Sequence, residues 1–127
     1  MPDELEQIRF TAHVLGLRAA YRLEKHEVTQ TIRAGSASIT EAILNRRASA
    51  GDQLLIALDG VLVGRAELIS MDAVTWATLN GEDALRGGFD NRFELAYALR
   101  RAGHRFKPLD EYPLFRIQFA WLEEGEK

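Results

Sequence analysis

The sequence contains no cysteine. That excludes disulfides, thiol nucleophiles and cysteine-ligated zinc, and it fits a reducing compartment. There is no long apolar run. The longest, Leu54 to Leu58, is far too short to span a bilayer, which needs about 20 apolar residues. The acidic opening, MPDELEQIRF, has no signal-peptide character. There is no basic excess either. The formal net charge of −3 gives no molecule-wide attraction for nucleic acid, so any basic surface must be local. A glycine-rich phosphate loop and a GxSxG motif are both absent, and His13, His26 and His104 show no short metal-ligand spacing. No cofactor and no metal are therefore expected. A cytoplasmic domain with no membrane partner is the default.

What is present suits one domain. A chain of 127 residues with 46% apolar side chains is long enough to bury a real core, and its 28% charged content is ordinary for a globular protein. No repeat or linker divides it, so the expectation is one domain over 1–127 with a core from about 12 to 122. The ending EEGEK reads as an acidic, solvated tail.

Periodicity organises the chain. Val14, Leu17, Ala20 and Tyr21 recur at helical spacing, which predicts a helix over Ala12 to Lys25. Val28 to Arg33 switches to period two, with Thr29, Thr31 and Arg33 on one face and Val28, Gln30 and Ile32 on the other. Ser38 with Glu41 fits a capping box before a helix to Arg47. Asp59-Gly60 tolerates the positive φ of a type I′ turn and predicts a hairpin joining Leu54–Leu58 to Val61–Ser70. Met71 to Leu79 is ambiguous, with more strand allowed. Asn80 can cap a short helix through Leu85, and Asp90 a longer one from Asn91 to Ala102, ended by Gly103. Leu114 to Leu122 alternates as a last strand. Mixed elements around a hairpin, without a βαβ rhythm, predict an α+β fold with a mainly antiparallel, curved sheet.

The segments Thr29-Gln30-Thr31-Ile32-Arg33, Gly51-Asp52 before the hairpin, Gly88-Phe89 and Glu94-Leu95 occur in that order. In combination the chain resembles the ASCH domain, a branch of the PUA-like superfamily, from about Val14 to Trp121. The resemblance implies a small β-barrel with flanking helices and a cleft beside the Thr-x-Thr-x-Arg strand. It also implies RNA or a modified nucleoside as partner. One branch of that family hydrolyses the acetyl amide of N4-acetylcytidine, and another is linked to ribonuclease activity. The amidohydrolase pattern matches here at Thr31 and Arg33. Its lysine position is Val28, and its glutamate position falls on Gly87 or Gly88. Lys25 and Glu27 lie close by, but a one-residue slip on a strand turns a side chain to the opposite face. Glu82 and Asp83 are the nearest acids on the other side. A threonine hydroxyl needs a neighbouring base, and valine cannot be one.

Each candidate has two readings. Thr29, Thr31 and Arg33 are either a wet strand face or donors to a base, ribose or phosphate. Arg100, Arg101, His104, Arg105 and Lys107 either offset a helix macrodipole or form a phosphate-attracting patch. Arg46 and Arg47 carry the same ambiguity at another helix end. Phe106, Tyr112, Trp76 and Trp121 read first as packing residues, and His26 as a surface residue that can also face the cleft. The expectation is a nucleoside- or RNA-binding module that uses Thr29, Thr31, Arg33, Arg100, Arg101, Arg105 and Lys107. The alternatives are an amidohydrolase with Thr31 as nucleophile, and a protein-interaction module. The oligomeric state is open.

Overall fold

The computed structural model describes residues 5–104 and 113–122. The Asp59-Gly60 turn organises it. Both residues have positive φ, 52° and 82°, so the chain reverses tightly. The turn joins β3 (Gln53–Leu58) to β4 (Val61–Thr75). The ambiguous segment after Ser70 continues β4 to Thr75, and one turn of 3-10 helix follows at Trp76–Thr78. Register shifts on β4, opposite Ile56/Ala57 and between Leu68 and Ser70, mark bulges that bend and twist it.

Three further strands complete a curled half-barrel in the order β1-β3-β4-β5-β2. β5 (Pro113–Trp121) pairs antiparallel with β4, and β2 (Gln30–Arg33) antiparallel with β5. β1 (Gln7–Phe10) pairs parallel with β3. The fold is α+β and mostly antiparallel, as expected. β1 lies before the expected start of the core. Its Ile8 is fully buried, so the core opens there and not at residue 12.

The helix expected over 12–25 is two helices. Gly16, at φ 84° and ψ 159°, breaks it into α1 (Ala12–Leu15) and α2 (Leu17–Glu24). The break changes the phase of the apolar stripe. Ala19, Ala20 and Leu23 are buried, while Leu17 and Tyr21 are exposed. α3 (Ser38–Leu44) also differs. Ser38 is its first helical residue and Ala37 its cap, without a side-chain bond, so the expected capping box does not form.

Two caps hold the cavity-side helices. Asn80 Oδ1 accepts from Asp83 N (3.1 Å), and Asp83 Oδ2 accepts from Asn80 N (2.9 Å), opening α4 (Gly81–Arg86). Asn80→Ala is expected to cost about 1 kcal/mol in a urea titration, since it orphans the Asp83 N–H. α5 (Arg92–Arg101) is capped by Asn91, whose Oδ1 accepts from Glu94 N (3.0 Å). Asp90, expected as that cap, instead pairs with Arg18 and with Arg22, the latter at 2.8 Å. The carboxylate thereby ties the start of α5 to α2.

The core lies between the concave sheet and these helices. Leu54, Ile56, Leu114 and Ile117 supply it from the strands, Leu23 and Ile39 from the helices. Trp76 is buried under the Arg92 guanidinium, 4.3 Å from its ring centre, so it packs as expected.

Candidate ligand-binding site at the barrel seam

A half-barrel leaves two edge strands, here β1 and β2. Among the described residues β1 pairs only with β3, and β2 only with β5. One side-chain bond joins the two edges, from Arg33 Nη2 to the Arg9 carbonyl (2.8 Å). Beside that bond a cavity of about 250 Å³ opens. Arg9 and Phe10 of β1 line it, as do all four residues of β2. Asp83, Gly87, Phe89, Leu95, Leu99 and His104 are among its other lining residues.

Arg33 is the cation of the cavity. Its Nε donates to Thr31 Oγ1 (2.9 Å), and its guanidinium carbon lies 4.8 Å from the centre of the Phe10 ring. Burial pushes its pKa down to about 10, so it stays charged at neutral pH. No carboxylate pairs with it among the described residues. Thr31 is 8% exposed, and its oxygen accepts from Arg33, which leaves its own O–H to donate. Burial and the Arg33 charge push the His104 pKa down, favouring a neutral ring.

Asp83 is the anion among the lining residues, and it is buried. Its Oδ1 accepts from Gln30 Nε2 (2.9 Å) and from Arg116 Nη1 (3.0 Å), while Oδ2 takes the Asn80 N–H. Burial alone would push its carboxyl up. The bonds from Asn80, Gln30 and Arg116, with the Arg116 charge, outweigh that and hold it below the usual carboxylate range. A carboxylate can only accept, so it fixes the Gln30 amide with nitrogen inward. Gln30 Oε1 then accepts from Gln118 Nε2 (3.0 Å). Arg116 is anchored from outside by Asp72 (2.6 Å).

Thr31 and Arg33 thus converge on the cavity, as the alternation suggested. Gln30 and Ile32 join them, although alternation put these on the other face. The cavity sits at the free edge of β2, where both faces can contribute. Thr29 does not line it. This residue is exposed, and its N–H donates to the Arg86 carbonyl (2.8 Å). Arg101 donates from Nε to the Val14 carbonyl (2.8 Å), and Arg100 is exposed at the end of α5. Arg105, Phe106, Lys107 and Tyr112 lie outside the described residues. Val28 is fully buried, and its carbonyl accepts from Trp121 Nε1 (2.7 Å). Lys25, the one described lysine, sits 5.4 Å from the Tyr21 ring centre and does not line the cavity. His26 does not face it either. Its ring stacks on Trp121 at 3.9 Å. Glu82 pairs with Arg86 along α4.

In the sequence Asp83 reads only as a helix-start acid or a displaced cleft acid, and no motif marks Gln30, Phe10 or Phe89 as lining residues. The Asn80-x-x-Asp83 spacing was the available signal for a fixed carboxylate. Among the described residues no group of three or more His, Asp or Glu side chains is placed to hold a metal, and no helix is long and apolar enough to cross a membrane.

No protein-family model matches the sequence, and no curated protein matches it. Solved structures do match the fold. A DUF984 protein from Enterococcus faecalis V583 superposes with a TM-score of 0.64 at 16% identity, over 98% of this chain and 86% of its own. An ASCH domain from Lactobacillus crispatus JV V101 superposes with a TM-score of 0.57 at 12% identity, over 89% of this chain and 79% of its own. At these identities the likeness is one of fold.

Proposed function

From an ASCH-like fold of the PUA-like kind, we propose that this chain binds RNA or a modified nucleoside in the seam cavity. The observation that supports this reading best is the convergence of the Thr31 hydroxyl and the Arg33 guanidinium on one cavity with Phe10 and Phe89 in its walls. Such a site offers flat apolar contact for a ring and a few fixed polar groups for its orientation, the usual make-up of a small-ligand pocket. Arg100 and Arg101, on the last turn of α5, supply positive charge near the His104 side and would attract the flanking phosphates of an RNA. Thr29, Arg105 and Lys107 are proposed as further RNA contacts away from the cavity lining.

The test is calorimetric titration with ribonucleosides, N4-acetylcytidine among them, and with short single-stranded RNAs. Thr31→Ala is expected to weaken binding by about 0.5–1.5 kcal/mol, the worth of one hydrogen bond. RNA affinity is expected to fall with salt, with a slope of about −0.7 per phosphate contacted. Saturable binding of none of these ligands would overturn the reading. The hydrolase alternative has no comparable observation behind it. The Thr31 oxygen faces a guanidinium, which cannot take its proton, and the described lysine lies elsewhere.

A further inference from the structure

We propose that the Arg33 end of the seam cavity is a phosphate subsite, so that the ligand is a nucleotide carrying a phosphate monoester and not a neutral nucleoside. The inference rests on the reading above and names the chemical class it takes.

Arginines that lose water on folding normally gain a carboxylate. Arg22 has Asp90 at 2.8 Å, and Arg116 has both Asp72 and Asp83, at 2.6 and 3.0 Å. Arg33 has neither an aspartate nor a glutamate among the described residues, although it lines the cavity. Asp83 does not serve it, because that carboxylate is spent on Gln30, Asn80 and Arg116. Arg92 also lacks a carboxylate among the described residues, but it lies on the Trp76 ring and does not line the cavity.

The geometry agrees with the charge. A guanidinium has five N–H donors. Arg33 spends one on Thr31 Oγ1 and one on the Arg9 carbonyl, and those two bonds fix its plane. The Phe10 ring lies against the guanidinium. The donors that remain form the fork that binds phosphate or carboxylate oxygens. Arg9 also lines the cavity, where its carbonyl holds Arg33, while its side chain lies on the exposed face of β1 with Nε 3.4 Å from Gln7 Oε1. The Thr31 O–H can donate to a third oxygen. A guanidinium without a carboxylate and a free hydroxyl on one small cavity match a phosphate monoester better than an uncharged ribose.

The experiment is titration of the protein with the four ribonucleosides, their 5′-monophosphates and inorganic phosphate alone, at low salt. The expected result is a preference of about 10- to 100-fold for monophosphate over nucleoside, the worth of charge-assisted bonds. Inorganic phosphate should compete with the monophosphate. Arg33→Gln should abolish the preference, and Thr31→Val should reduce it. Melting curves check that each variant folds. If Arg33→Gln does not fold, the wild-type preference and Thr31→Val decide. Equal affinity for nucleosides and monophosphates overturns the phosphate subsite and leaves nucleoside binding standing. Binding of neither class overturns both.

Discussion

Asp83→Ala is expected to destabilise the fold by about 3–5 kcal/mol, the usual cost of removing one partner from a buried ion pair. That is a large share of the roughly 5–15 kcal/mol by which domains are stable. The cause is the number of donors left without an acceptor. Gln30 Nε2, Asn80 N and Arg116 Nη1 all point at this one carboxylate, which is 2% exposed. Asp83→Asn should rescue little, because its amide would turn an NH2 toward at least one of three donors. Urea titration checks both variants. The pH dependence has a definite sign. The folded-state pKa lies below the unfolded one, so the contribution is complete above the ordinary carboxylate range and is lost as pH falls through the folded value. The gap between wild type and Asp83→Ala should therefore be full at neutral pH and close only in acid below that range.

Gly88→Ala is expected to cost about 2–5 kcal/mol. Two effects add. Gly88 has φ 95°, in the left-handed region, where a Cβ costs about 1–2 kcal/mol. The new methyl would also lie 2.8 Å from Val28 Cγ2 and 3.5 Å from Ala19 Cβ. Val28 is fully buried and cannot move aside, so overpacking adds about 1–3 kcal/mol. A double-mutant cycle isolates the clash. In a Val28→Ala background the same Gly88→Ala change should cost less, with a coupling of about 0.5–3 kcal/mol. Simple additivity would mean that the φ penalty acts alone. The Gly88-Phe89 pair thus has a packing reason to be what it is. It seats the turn after α4 on Val28, two residues before Gln30, and puts Phe89 in the cavity wall.

The parts of the fold written in local chemistry were legible from the sequence. Asp59-Gly60 specified its hairpin because two adjacent residues carry the whole backbone requirement. Asn80 and Gly103 marked helix ends for the same reason. Thr31 and Arg33 stood out through alternation. β1 did not, because four residues hold too little pattern and its parallel partner is Leu55 to Leu58, far along the chain. Gly16 hid inside a helical period that its break interrupts. Gln30 was assigned away from the site by a rule that holds within a sheet and fails at an edge. Asp83 was visible as a first-turn acid, while its second task depends on Arg116 and Gln30, which come from different strands.

The seam also constrains the order of assembly. Its two sides, β1 and β2, are near neighbours in the chain, but neither finds its strand partner nearby. Gln118, which bonds to Gln30, is 88 residues further on. Pairings of that span are slow to form, because a long loop must be closed before any contact repays it. During synthesis β2 emerges before β5 and waits for it. The cavity is therefore a late product of folding, and a nascent chain that has not yet released β5 has no site for a ligand to occupy.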